Sequence, residues 1–167
     1  LTAEGYFCYA PWLPGYSTSV AYPNSSFSIS NLTDALSDLI ERLLSLHDKK
    51  ALHLVGHDWG SVIAQSYHSN KPERVSSLTL LAVPPKFIST IAFECPRQII
   101  NSLYIAYFQL PFVPELTPSL VSFLISTWSP SLKDVPFKSN ILDTFRPLSP
   151  ALKNALGYYR SNVCLDS

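Results

Sequence analysis

The sequence predicts an α/β fold in which a parallel sheet carries flanking helices and is followed by a helical part. In the first half, apolar strand-like runs alternate with helix-like stripes over short connections, as in parallel sheets. After Pro85 the strand-like runs stop, and helical patterns separated by prolines take over. We therefore predict a sheet-containing core over residues 1–85 and a helical cap, or lid, over residues 86–167.

Three apolar runs predict the strands of the core. They cover Gly5–Ala10, Ala51–Val55 and Val75–Val83, and a proline or glycine follows each run. Continuous apolar runs of this length are typical of strands buried on both faces. We therefore expect helices to cover both faces of the sheet.

The helices are predicted from apolar residues that recur three and four positions apart. Asn31 or Thr33 is expected to cap the first helix. The stripe of that helix comprises Leu36, Leu39, Ile40, Leu43, Leu44 and His47. The other predicted helices cover Gly60–Ser69, Arg97–Phe108, Ser119–Trp128 and Ala151–Asn162.

Composition excludes several classes of function. The chain has 167 residues, of which 47% are hydrophobic and 14% charged, enough apolar material for one sizeable core. Twelve basic residues balance twelve acidic ones, so no strong field attracts nucleic acid or an anionic membrane surface. No apolar run reaches the length of about 18 residues that a membrane-spanning helix needs.

The cysteines and the first residue bear on the origin of the chain. Cys8, Cys95 and Cys164 are odd in number and form no CxxC pair, which predicts reduced thiols in a cytoplasmic protein. The chain begins at Leu1 and contains no methionine, so we expect a processed chain or a fragment. The oligomeric state is not predicted.

The stretch VGHDWGSV places Asp58 at a sharp turn between the second strand and the second helix. Gly56 and Gly60 flank it at two residues' distance, where glycine relieves crowding in such a turn. The side chain is then pushed outward at the carboxyl end of a parallel strand, where functional sites gather. The N-terminus of the following helix favours an anion at this position.

Two interpretations of Asp58 are open at this point. In the first, it only caps the helix after a glycine turn. In the second, it is the nucleophile of an elbow of the G-x-S-x-G type in which aspartate replaces serine. A carboxylate is ionised at neutral pH and needs no base to activate it, so it suits attack on a saturated carbon with a strained or good leaving group.

The run VGHDWGSVIAQSYHSNKPERVSSLTLLAVPP resembles the α/β-hydrolase fold, in its aspartate-nucleophile branch of soluble epoxide hydrolases and haloalkane dehalogenases. GYFCYAPWLPGYSTS is similar to the strand and loop before the elbow, although Trp12 stands where that branch has aspartate. SLYIAYFQLPFVPE and LGYYRSN are similar to two helical segments of the epoxide hydrolase lid. The resemblance implies a partial α/β-hydrolase core plus a helical lid, most like a soluble epoxide hydrolase.

The resemblance also implies the roles of four residues. Asp58 would be the nucleophile. Tyr104 and Tyr159, placed by the Phe-Gln-x-Pro segment and the Tyr-Arg pair, would donate hydrogen bonds to the epoxide oxygen, because a phenol stays protonated at neutral pH. The backbone N–H of Trp59 would be a donor of the oxyanion hole.

The remaining tyrosines allow a second interpretation of the cap. Tyr107 and Tyr158 are expected to be packing neighbours of the two donor tyrosines. In a chain that is 13% aromatic, however, Tyr104 and Tyr159 could themselves be packing residues. Their agreement with both lid segments favours the donor role.

The predicted activity is hydrolysis of a small apolar epoxide to a vicinal diol through an Asp58 ester, with no metal or cofactor implied. One alternative is haloalkane dehalogenation by the same nucleophile, in which indole or amide N–H groups hold the halide. Another is a non-catalytic α/β-hydrolase-like protein that binds a small apolar ligand under its lid.

Some parts that the resemblance requires are not found in the chain. The catalytic histidine and acid would follow Ser167, and the HG-x-P loop of the oxyanion hole would precede Leu1. No histidine of the chain is expected to be the catalytic base; they are His47, His53, His57 and His68. We therefore expect a fragment that does not turn over by itself.

Overall fold

The computed structural model describes residues 1–16, 27–83, 103–121, 123 and 150–162. The helices of this part are α1 (Ile29–Leu46), α2 (Trp59–Asn70), α3 (Leu103–Gln109), α4 (Val113–Leu116) and α5 (Pro150–Asn162). The strands are β1 (Leu52–His57) and β2 (Val75–Leu81), and short 3₁₀ turns cover Thr2–Glu4 and Pro72–Arg74.

The two strands form a parallel sheet connected through α2. Their register runs from Leu52 opposite Val75 to His57 opposite Leu81, with one irregularity between Leu52 and His53. Parallel neighbours need a crossover connection, and α2 supplies it. The predicted order of strand, helix and strand is confirmed.

Helices cover one face of this sheet in the described part of the chain. Leu52, Leu54 and Val75 pack against a cluster formed by helices α1 and α2. That cluster consists of Ile40, Leu44 and Tyr67. On the opposite face Val55 is 63% exposed. The prediction of strands buried on both faces is therefore wrong for the described residues, whose burial alternates as in a half-covered sheet.

Helix α1 begins earlier than the sequence predicted. Its N-cap is Ser28, whose hydroxyl accepts a hydrogen bond from the Asn31 backbone N–H at 3.4 Å. Thr33 lies inside the helix and donates to Ile29 O at 2.6 Å. Asn31 and Thr33 are therefore not caps, because the buried Phe27 anchors the chain just ahead of an earlier cap.

The predicted strand Gly5–Ala10 is not formed. These residues are exposed, and they follow a 3₁₀ turn that Gly5 ends at a φ of 85°. An extended segment is stable only with a ladder partner, and the described residues offer none to this segment. Its side chains contact the residue that follows α1 instead: the Phe7 ring stacks on His47 with centroids 4.1 Å apart.

The cap agrees with the sequence where it is described. Helix α5 confirms the helix predicted over Ala151–Asn162, and α3 covers the end of the one predicted over Arg97–Phe108. Residues 119–121 and 123, the described part of the predicted helix Ser119–Trp128, are helical; the rest of that helix lies outside the described residues, as does the boundary near residue 85.

Helix α5 packs directly on the core. Gly157 allows the approach, since a Cβ there would lie 2.4 Å from the Phe27 ring. The next residue, Tyr158, is fully buried, and its hydroxyl donates to Pro14 O at 2.6 Å. Its ring joins Phe27, Leu32 and Ile63 in one cluster, so the cap and the core share apolar packing next to the elbow.

Candidate active site

The backbone at Asp58 has the sharp turn that the sequence predicted. Asp58 lies between β1 and α2 with φ 52° and ψ −121°, a conformation that costs a non-glycine residue about 1–3 kcal/mol. Its N–H donates to Leu81 O at 3.1 Å, and its carbonyl accepts from the N–H groups of Ser61 and Val62 at 2.8 and 3.3 Å. Hydrogen bonds on both sides therefore hold the strained residue.

The two flanking glycines are not equivalent. A Cβ at Gly56 would lie 2.5 Å from the backbone oxygen of Gly60, a clash that neither segment can relieve by a side-chain movement. A Cβ at Gly60 would meet nothing within 4 Å. The prediction that both glycines relieve crowding is confirmed for Gly56 and wrong for Gly60.

Ser61 ties the elbow to the second strand, a role that the sequence analysis did not find. Its fully buried hydroxyl donates to Leu81 O at 2.8 Å and accepts from Leu81 N at 3.2 Å. Both backbone groups at the end of β2 are thereby satisfied. A serine in the first turn of a predicted helix gives no local signal of this contact.

The Asp58 carboxyl does not cap the helix. Asp58 is the N-cap residue of α2, yet its side chain makes no capping hydrogen bond and the residue is exposed. The interpretation of Asp58 as a helix cap is therefore wrong. Partial removal from water raises the pKa of this carboxyl above its usual value, while the His57 charge and the backbone N–H of Trp59 oppose the shift.

An open cleft of about 360 Å³ lies at Asp58. Its wall includes Trp12, the residue at which the loop departs from the branch pattern. Tyr104 and Tyr159 are not among the residues that line this cleft. The lining residues are Pro11, Trp12, Leu13, Tyr16, His57, Asp58 and Trp59.

The structure brings Tyr104 and Tyr159 together from α3 and α5. Their ring centroids lie 5.9 Å apart and nearly perpendicular, at 81°. Burial raises the pKa of both phenols, and the negative charge of Asp58 raises both further. With raised pKa values both phenols stay protonated at neutral pH, and the charge of Asp58 acts on each of them.

Trp59 connects the elbow to these tyrosines. Its ring meets Tyr159 edge-on, with centroids 5.2 Å apart. The indole N–H approaches the Tyr159 phenol closely enough to oppose the rise in its pKa, but it makes no hydrogen bond of normal geometry. A buried indole donor of this kind is normally satisfied, and this one has no partner of normal geometry among the described residues.

Tyr107 and Tyr158 have the structural surroundings expected of packing residues. Tyr158 is buried against Trp59 and Phe27. Tyr107 packs against a cluster of Phe108, Val121, Leu152 and Leu156, and its hydroxyl bonds to Thr117 Oγ1.

Tyr16 is a residue of the cleft that the sequence analysis missed. Its ring packs on Tyr158 at 5.5 Å, and it lines the cleft beside Asp58. Burial and the charge of Asp58 raise the pKa of the Tyr16 phenol to about 12. Tyr16 lies in a loop 42 positions before Asp58, so only the folded chain shows that they are neighbours.

The histidines have separate environments. His47 bonds to the Tyr9 hydroxyl at 2.6 Å, and His53 bonds to the Ser77 hydroxyl at 2.7 Å. His57 is exposed in the cleft wall next to Asp58. His68 lies in the last turn of α2, away from the elbow.

Two further searches concern metals and membranes. Among the described residues, no three or more His, Cys, Asp or Glu side chains lie together as metal ligands would. No helix in the same part of the chain is both long and apolar enough to span a bilayer.

A family model described as alpha/beta hydrolase fold matches residues 1–127 of the chain. The chain belongs to this family. The predicted partial α/β-hydrolase core is therefore confirmed, and the small parallel sheet with its helices agrees with it.

Several curated relatives of this α/β-hydrolase share part of its sequence. The AB hydrolase superfamily protein YfhM of Bacillus subtilis (strain 168) is 37% identical over 117 residues, which cover 69% of this chain and 40% of that protein. Epoxide hydrolase 3 of Xenopus tropicalis is 33% identical over 89 residues, 53% of this chain and 24% of that protein. Epoxide hydrolase 4 of Homo sapiens is 33% identical over 91 residues, 54% of this chain and 25% of that protein.

These relatives confirm the resemblance to epoxide hydrolases, and they also set its extent. The chain spans 40% of the bacterial relative and about a quarter of the two epoxide hydrolases.

Proposed function

We propose that the protein containing this chain hydrolyses small apolar epoxides to vicinal diols, with Asp58 as the nucleophile. The observation that carries the proposal is that Asp58 is exposed on a strained turn beside Trp59, whose ring contacts Tyr159, one of a half-buried pair of phenols. The names of the epoxide hydrolase relatives point to the same class of substrate.

In the first step, a carboxylate oxygen of Asp58 attacks one epoxide carbon. The carbon–oxygen bond of the strained ring breaks, and its electron pair goes to the oxygen. Tyr104 and Tyr159 donate hydrogen bonds to this oxygen, and a phenol proton is transferred to it, which leaves a hydroxyl group on the alkyl ester of Asp58. The raised pKa of each phenol keeps the proton available at neutral pH.

In the second step, water attacks the carbonyl carbon of the Asp58 ester. Negative charge then develops on the other carboxyl oxygen of Asp58. The backbone N–H of Trp59 already stabilises charge on this carboxyl, which supports its role in the oxyanion hole. Collapse of the intermediate breaks the bond between the acyl carbon and the alkyl oxygen, which releases the diol and restores the carboxylate. One proton of the attacking water goes to the released oxygen, and the other returns to the tyrosinate left by the first step.

A single turnover in heavy-oxygen water tests this mechanism on the full-length protein. If Asp58 forms an ester, the first diol released carries no label and the enzyme gains one heavy oxygen in the Asp58 carboxyl. Label in the first diol would contradict the covalent mechanism. The Asp58→Asn variant should form no diol, whereas Asp38→Asn, at an exposed carboxylate of α1, should react normally.

One observation favours haloalkane dehalogenation as a second candidate. The indole N–H of Trp59 is buried without a hydrogen-bond partner next to the nucleophile, and it could hold a halide. Parallel assays with an epoxide and a haloalkane separate the two activities. Binding of both compounds without formation of any Asp58 ester would instead support a non-catalytic ligand-binding protein.

A further inference from the structure

Arg160, next to Tyr159 on α5, directs its guanidinium to the end of α3 and to α4. Its Nε donates to Phe108 O at 3.0 Å, and a terminal nitrogen donates to Leu110 O at 2.7 Å. The terminal nitrogens also meet both carboxylate oxygens of Glu115, at 2.5 and 3.1 Å. One side chain therefore joins three points of the cap.

The ion pair is rigid because its acid is buried. Glu115 is 5% exposed, and a buried carboxylate is stable only with charge-assisted partners. The planar guanidinium binds both of its oxygens at once, which fixes direction as well as distance. A lysine could keep the charge, but it could not reproduce this fork.

Helix α3 depends on such a partner. It has seven residues, too few for a helix that is stable by itself. The carbonyls of Phe108 and Leu110 lie at its C-terminal end, where carbonyls lack partners within a helix and where a cation is favourable. Arg160 therefore determines how the end of α3 sits against α5.

The same two helices carry the two phenols. Tyr104 precedes Phe108 by one helical turn, and their rings meet edge-on at 5.4 Å. The Tyr159 ring contacts Phe108 at 5.0 Å and Tyr104 at 5.9 Å. Gln109 adds a second tie by donating to Tyr159 O at 3.1 Å. A shift of α3 against α5 would therefore separate the phenols.

We propose that Arg160 and Glu115 are positioning residues that hold Tyr104 and Tyr159 in one arrangement for the opening of the epoxide ring. The inference rests on the proposed function of the two phenols. Since the phenols act on the oxygen released in the first step, loss of the ion pair should slow formation of the Asp58 ester and not its hydrolysis.

Single-turnover kinetics of the full-length protein test this step selectivity. Arg160→Gln should slow ester formation about 100-fold, the cost of a displacement of about 1 Å at a reacting group. Arg160→Lys and Glu115→Gln should cause smaller losses, and ester hydrolysis should be unchanged in all three. The control Lys71→Gln removes an exposed ion pair with Glu41 and should change neither step. Equal losses in both steps would overturn the inference.

A double-mutant cycle tests whether Arg160 acts through the phenols. In a protein that already carries Tyr104→Phe and Tyr159→Phe, Arg160→Gln should cause no further loss of ester formation. A further loss of the same size as in the wild-type background would show that Arg160 acts by another route, and it would overturn the inference.

A readout independent of catalysis separates this inference from the proposed function. In protein with isotope-labelled tyrosine rings, the NMR signal of Tyr159, assigned with Tyr159→Phe, should shift in Arg160→Gln and stay in place in Lys71→Gln. If Arg160→Gln does not fold, Arg160→Lys and Glu115→Gln give the same comparison. An unmoved signal in a folded variant overturns the inference, whereas absence of any Asp58 ester in the wild-type protein overturns only the proposed function.

Discussion

The elbow and the cap bring polar groups to one place by different physical means. The elbow holds Asp58 in a strained backbone conformation by hydrogen bonds to Ser61 and Val62 nearby and to Leu81 on the next strand. The cap holds its phenols through contacts between helices α3 and α5. The hydrogen-bonded residues of these helices lie about 50 positions apart in the sequence. The elbow is thus set by local geometry, and the cap is set by packing.

The largest expected effect is the loss of activity when Asp58 is replaced by glycine, a change that also relieves the strain of the elbow. Asp58→Gly should raise the free energy of unfolding by about 1 kcal/mol, because glycine adopts a positive φ without a Cβ clash. The same variant should lower diol formation by the full-length protein about 10⁴-fold or more, since it lacks the nucleophile. Denaturant unfolding and a diol assay measure both. A less stable variant would show that the turn is not strained.

The two glycines sharpen the description of the elbow. Gly56→Ala should lower the free energy of unfolding by about 3 kcal/mol, because its Cβ would meet only backbone atoms at 2.5–2.7 Å. Gly60→Ala should be neutral or stabilising by up to about 1 kcal/mol, because its Cβ meets open space in a helix. Thermal unfolding of the two variants is the measurement, and similar effects at both positions would contradict the difference.

In the cap, the corresponding test is how the contribution of Glu115 to the free energy of unfolding depends on pH. The hydrogen bond from Arg160 holds the pKa of this carboxyl below its ordinary value of 4.5, although burial opposes the shift. Its contribution to stability is therefore present above pH 4.5 and is lost as the pH falls through the lowered pKa. At neutral pH, Glu115→Gln should lower the free energy of unfolding by about 2 kcal/mol, since Arg160 loses its carboxylate partner but keeps two carbonyl partners and stays partly hydrated.

Denaturant unfolding of the wild-type protein and of Glu115→Gln across this pH range checks the prediction. The stability difference should shrink in acid. A difference that is independent of pH would show that the carboxylate charge is not what holds the cap.

A somewhat smaller loss of stability than that of Glu115→Gln is expected at the link between the elbow and β2. Ser61→Ala removes both hydrogen bonds to Leu81 and should cost about 1–2 kcal/mol. Ser69→Ala is the matched control on the same helix. The Ser69 hydroxyl donates to Gln65 O within this helix, at an exposed site. Chemical denaturation of both variants gives the comparison. Equal stability of Ser61→Ala and Ser69→Ala would show that Ser61 does not stabilise the elbow.

This contrast explains what the sequence could predict. The strand, the tight turn and the helix of the elbow are all encoded within residues 52–62. The position of Asp58 at the turn could therefore be predicted from the sequence. The roles of Ser61 and Tyr16 could not be predicted, because both depend on partners that are distant along the chain.

The cap could be approached only through resemblance. Helix α5 has a clear apolar pattern, but nothing in periodicity indicates that Tyr159 faces Tyr104 and not solvent. The predicted N-cap residue of helix α1 was wrong for a related reason. The burial of Phe27 favours Ser28 as the N-cap, and burial is a tertiary effect. Gly5–Ala10 shows the same limit, since strand propensity without a pairing neighbour gives no strand.

The bonds between α5 and the beginning of the chain bear on the order of folding events. Tyr158 bonds to Pro14 O, Asn154 to Gly15 O and Asn162 to Phe27 O, across 144, 139 and 135 positions of sequence. Contacts of such long range pay the entropy of closing a large loop before they gain any enthalpy. The βαβ unit needs only local closure and is expected to form first, so Trp59 meets Tyr158 and Tyr159 only when α5 docks.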